Sequence, residues 1–120
     1  MSKVKLPKEF RTKWLKALTN GSYKQTASML VETIKGQKNR YCCLGVACRI
    51  EGIPVKQLKD EGMPNTLLPK YKKILPAALF KRNRLRDSNS TLATKLANLN
   101  DGGRSFKEIA EYIEKHTVAA

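Results

Sequence analysis

The sequence predicts a mainly α fold, a single small helical domain over residues 1–120 with a C-terminal helical hairpin. Three observations lead there. A chain of 120 residues matches one domain and can bury a self-sufficient core. Apolar residues recur at helical spacing in successive windows. Residues that start and stop helices bracket those windows.

Pro7 suits a first helical position, and the helix it opens should run to about Thr19. Phe10, Trp14, Leu15 and Leu18 form its apolar stripe, with Lys13 and Lys16 away from it. Arg11 falls near the stripe's middle, which reads as a snorkelling side chain at its edge. Asn20-Gly21 then ends the helix with a pair suited to positive φ. A second helix is expected from Lys24 to Ile34, on the spacing of Ala27, Leu30, Val31 and Ile34. Lys35 to Arg40 is a basic turn. The run Tyr41 to Ile50 is apolar almost all round, which suits a short buried helix, with a buried strand left open by periodicity.

Residues 52–70 hold three prolines and two glycines and read as irregular, with one helical turn near Val55–Lys59. Pro76 opens a further helix carrying Leu79, Phe80 and Leu85. Ser90 or Thr91 caps a helix built on Leu92, Leu96 and Leu99, and Asn100-Asp101-Gly102-Gly103 breaks it. Ser105 caps the last helix, with Glu108 completing a capping box ahead of Phe106, Ile109, Ala110 and Ile113. Residues 1–6 and 117–120 are expected to fray.

Charge is the strongest global fact. The chain carries 24 Lys and Arg against 10 Asp and Glu, a formal +14. The excess is uneven: residues 1–40 carry a net +8, residues 41–87 a net +6, and residues 88–120 none. Such a balance favours polyanionic partners. The sequence shows no apolar run long enough to span a bilayer, and the charged start leads into no signal segment. The expected location is the cytoplasm.

Lys70, Lys72 and Lys73 flank Tyr71, and Lys81, Arg82, Arg84 and Arg86 follow closely. These are the candidate phosphate contacts, with Tyr71 as a stacking residue; the plain alternative is a solvated helical face. A smaller anion pocket is the other candidate. Asn100 and Asp101 stand in a tight turn, the amides opening the helix at Ser105 suit a phosphate, and Tyr23, Gln25 and Tyr41 add stacking and hydrogen bonds if folding brings them near. The plain alternative there is that Asn100 and Asp101 serve the turn itself.

Catalytic and metal chemistry have little to stand on. Cys42, Cys43 and Cys48 make an odd, closely spaced set that fits small buried side chains in a reducing compartment better than disulfides or zinc. Arg40 is the one neighbour that would activate Cys42 or Cys43, and no base can be named for it. His116 stands alone, and Gly102-Gly103 is a turn rather than a phosphate loop. A helix-turn-helix reading of 103–110 lacks a following recognition helix. The reversed assignment would present Glu108, Glu111 and Glu114 to phosphates. No enzyme activity, cofactor or metal is expected.

Three segments together resemble a group of small uncharacterised proteins of tailed bacteriophages: Tyr23-Lys24-Gln25, Tyr41-Cys42-Cys43-Leu44-Gly45-Val46-Ala47, and the run from Leu96 through Asn100-Asp101-Gly102-Gly103-Arg104-Ser105-Phe106 to Ala110. The resemblance covers roughly residues 7–50 and 92–115 and leaves the basic stretch 70–86 outside. It implies a phage accessory protein in the bacterial cytoplasm, of a kind that binds a host macromolecule, inhibits a defence complex or sequesters a nucleotide signal. The functional expectation is therefore a non-enzymatic binder of a nucleic-acid or nucleotide-type anion. The alternatives are a sponge for a nucleotide immune signal and a protein inhibitor of a host defence complex.

Overall fold

The computed structural model of the chain describes residues 4–27, 31–52, 54–56, 58 and 92–119. In order these form β1 (Val4–Leu6), α1 (Lys8–Thr19), β2 (Lys24–Gln25), β3 (Val31–Glu32), β4 (Arg40–Tyr41), α2 (Cys43–Ile50), α3 (Leu92–Asp101), α4 (Phe106–His116) and β5 (Thr117–Ala119). Four helices thus share the described chain with five short strands in two sheets. The fold is mixed α/β, which corrects the expectation of a mainly helical domain with a terminal hairpin.

Helix α2 sits at the centre. Cys43, Leu44, Gly45, Val46, Ala47 and Cys48 are all buried, so a run that is apolar all round lies where every face meets protein. The strand left open by periodicity is confined to Arg40–Tyr41, just before it. Helix α1 packs on α2 and α4, and α3 packs on α2. Trp14, fully buried on α1, donates its indole N–H to the carbonyl of Cys43 at 3.0 Å. Leu44, Val46, Leu96, Ile109 and Ile113 complete the centre with no exposed surface. The predicted stripe of α1 holds at Phe10, Trp14 and Leu18; Leu15 is half-buried and Ala17 takes a buried place instead.

Within the expected helix over Lys24–Ile34, Lys24–Gln25 and Val31–Glu32 are strand instead. β4 is the middle strand of three, parallel to β2 and antiparallel to β3. Val31 is buried opposite Tyr41, and Glu32, half-buried, lies opposite Arg40. A helix here would remove the Gln25 side chain from the turn it holds between α3 and α4, described below. Apolar spacing in so short a window does not tell one element from the other.

The chain ends are also corrected. β1 and β5 pair in parallel, with Val4, Lys5 and Leu6 opposite Thr117, Val118 and Ala119. Leu6 and Thr117 have no exposed surface. Arg11 holds this closure: its Nε donates to the Thr117 hydroxyl at 3.0 Å, and its Nη2 donates to the carbonyls of Glu114 and Thr117 at 3.3 and 3.4 Å. The arginine expected to snorkel at the stripe's edge anchors the far end of the chain.

The last two helices follow the local signals. α3 runs through Asn100 to Asp101, and the break falls at Gly102-Gly103. There Gly103, at φ +93°, donates to the Asn100 carbonyl at 3.2 Å, while Arg104 donates to the Leu99 carbonyl at 3.1 Å. Those two bonds close a helix end that needs a left-handed residue, which glycine adopts without strain. Ser105 then caps α4 in a complete capping box with Glu108. The helix expected from Pro76, and Ser90 or Thr91 as caps, lie outside the described residues.

Candidate functional site

The six residues of the candidate pocket can be placed one by one. Strand β2 carries Gln25 and strand β4 carries Tyr41; Asn100 and Asp101 end α3, and Ser105 opens α4. Folding does bring their backbones together. Gln25 Nε2 donates to Asn100 Oδ1 at 3.0 Å and to the Arg104 carbonyl at 2.7 Å, while its Oε1 accepts the Phe106 amide at 3.0 Å. Asn100 Oδ1 also accepts the Cys43 amide at 3.1 Å, and its Nδ2 donates to the Thr26 carbonyl at 2.7 Å. Asn100 is 2% exposed.

These bonds decide what the constellation does. Both side-chain amides spend their donors and acceptors on protein, so the cluster is a clasp. It joins the α3–α4 turn to β2 and to the first turn of α2, and the Phe106 and Cys43 amides it occupies are donors that two helix starts would otherwise leave unpaired. Ser105 is engaged in its own capping box. Tyr23 meets Tyr41 edge to face, with ring centroids 5.2 Å apart, and Tyr41 is buried. The two rings pack on each other in that arrangement. Asn100 does more than serve the turn: it is a buried tie between three elements. The signal for this role is a polar residue placed where α3's apolar face continues, four positions after Leu96.

The cysteines are all buried and form no disulfide among the described residues. Burial pushes the thiols of Cys43 and Cys48 well up from their ordinary range, and the neighbouring Cys42 adds to the effect in both. At neutral pH these two sulfurs stay protonated, the reverse of an activated nucleophile. Cys42 caps α2, its Sγ accepting the Gly45 amide at 3.3 Å. Cys43 Sγ contacts the Leu96 carbonyl at 3.6 Å. Among the described residues no group of three or more His, Cys, Asp or Glu is placed to hold a metal ion.

A shallow open groove of ≈ 350 Å³ lies along α4, lined by Leu99, Arg104, Glu108, Tyr112 and His116 among others. His116 stacks on Tyr112 with centroids 4.1 Å apart, and Arg104 pairs with Glu108 at 3.3 Å. Hydrogen bonds from the Ser105 amide and from Arg104 hold the Glu108 carboxyl below the usual carboxylate range. Charges of both signs line this groove.

Lys70, Tyr71, Lys72, Lys73, Lys81, Arg82, Arg84 and Arg86 lie outside the described residues. What the described part shows of the charge excess is its exposure: Lys5, Lys8, Lys13, Lys16, Lys24, Lys35 and Lys38 all face solvent. Among the described residues no helix is long and apolar enough to cross a membrane.

A family profile described as a domain of unknown function (DUF8296) matches residues 6–64. That span takes in α1, the three-stranded sheet and the whole of α2. No curated protein and no solved structure matches the chain.

Proposed function

We propose that this chain is a small basic, non-enzymatic protein that binds a nucleic-acid or nucleotide-type anion. The setting we propose is the bacterial cytoplasm during phage infection, in host takeover or counter-defence. One observation carries the reading: the +14 charge lies entirely before Ser88, and its described lysines on α1, β2 and the β3–β4 turn face solvent. A surface of that kind gains affinity for phosphates by releasing their counterions. Three buried thiols outside any disulfide among the described residues accord with a reducing compartment. The phage setting rests on the sequence resemblance alone.

Between a polyanion and a trapped small nucleotide, the clasp favours the first. Gln25 and Asn100 would be the polar heart of a small pocket, and both are engaged by protein. The experiment is fluorescence anisotropy of labelled single- and double-stranded oligonucleotides titrated at about 50 and about 200 mM salt. Binding that persists at the higher salt is expected, and its loss there reduces the charge to generic adhesion. Reversing Lys81, Arg82 and Arg84 to Glu should weaken binding and flatten its salt dependence; unchanged binding removes that stretch from the interface.

A further inference from the structure

The three-stranded sheet places Lys24, Arg40 and Glu32 side by side. Lys24 is the register partner of Arg40 on one flank, and Glu32 is its partner on the other. Residues at one register position project to the same side of a sheet. Gln25, Tyr41 and Val31, one step along, project to the other side, where Tyr41 and Val31 are buried. The Lys24 side is therefore the outward one.

On that side the charges do not cancel. The Glu32 carboxylate accepts the Thr26 hydroxyl at 2.8 Å, and among the described residues no ion pair joins it to Arg40 across the ladder. Arg40 Nε is buried yet has no hydrogen-bond partner among the described residues. An unmet donor on a cation is costly to keep, and no bond from it resists turning the guanidinium outward to an oxyanion. Beyond Arg40 the β3–β4 turn carries Lys35 and Lys38, both exposed. It is closed by a bond from the Gln37 amide to the Ile34 carbonyl at 3.0 Å, with Gly36 at φ +78°. No hydrogen bond or ion pair within the described residues holds Lys24, Lys35 or Lys38.

We propose that the outward face of this sheet and its β3–β4 turn form a contact surface for the phosphodiester backbone of a nucleic acid, with Lys24, Lys35, Lys38 and Arg40 as the phosphate ligands. Arg40 supplies the directed, forked donor and the three lysines act as point charges. The site rests on the reading of the protein as a polyanion binder. It adds a location distinct from the 70–86 stretch.

The test uses the full chain and the same labelled oligonucleotides, single- and double-stranded. The double variant Lys35→Glu/Lys38→Glu lies on exposed turn residues and is compared with Lys95→Glu/Lys107→Glu, an equal change of charge on exposed positions of α3 and α4. The turn variant should flatten the slope of log K against log salt by about 1.8 on duplex or about 1.4 on single strand, two lost contacts at ~0.9 or ~0.7 each. The control should move it far less. Equal effects from the two variants, or none from the turn variant, overturn the site while wild-type binding leaves the polyanion reading standing. Wild-type protein that binds neither oligonucleotide at 200 mM salt overturns both. Arg40→Gln, which keeps an amide donor and drops the charge, should weaken binding without lowering thermal stability; a loss of stability with binding intact would make Arg40 structural.

Discussion

Asn100 shows how much one polar side chain can hold. It bonds Gln25, the Cys43 amide and the Thr26 carbonyl from inside the protein, so truncation strands the buried Cys43 amide and removes two part-buried bonds. Asn100→Ala should cost about 3 kcal/mol, read as a lower urea midpoint at unchanged slope. Asn98→Ala, on the exposed side of the same helix, should move stability by less than about 0.5 kcal/mol. Similar midpoints for the two variants would refute the clasp. The residue type was legible in the sequence, and so was its nearness to a turn. Its partners were not, because they lie 57 and 74–75 positions away in the chain.

At the level of elements, the ends closed by β1 and β5 depend on an arginine from a third element. Arg11 makes three bonds to the last turn of α4 and to β5, and two of them go to Thr117. Arg11→Ala should loosen this closure locally. Hydrogen exchange should speed at the amides of 4–6 and 117–119 while those of α2 keep their protection, with a global loss of about 1 kcal/mol. Unchanged exchange at 117–119 would show the ladder stands without the arginine. The elements that sequence predicts well here are those whose signals are local. The capping box of Ser105 and Glu108, the glycine stop at Gly103 and the stripe of α1 each lie within a few residues. The strands do not advertise themselves: two or three residues are too few for an alternating pattern.

For the molecule as a whole, a +14 charge on 120 residues implies self-repulsion in the folded state. Screening should relieve it. Raising salt from about 10 to about 150 mM shortens the Debye length from ~30 to ~8 Å. It should raise Tm by roughly 4 °C, equivalent to about 1 kcal/mol for a domain of this size. A Tm that stays flat or falls with salt would mean the positive charges are spaced widely enough not to strain the fold. The same repulsion would be relieved by a bound polyanion, so stabilisation by oligonucleotide beyond that of salt alone would tie stability to the proposed partner.

The sequence by itself determined where α1 and α4 begin and end, that the Tyr41–Ile50 run is interior, and that the charge excess stops before Ser88. Each is written in neighbouring residues or in plain composition, through capping, spacing and the count of ionisable groups. Only the tertiary structure decided that Lys24–Gln25 and Val31–Glu32 pair as strands, that the two ends meet, and that Gln25 and Asn100 bind each other. Those outcomes rest on hydrogen bonds between distant segments, and a buried polar group takes whichever partner the packed core brings within 3 Å of it.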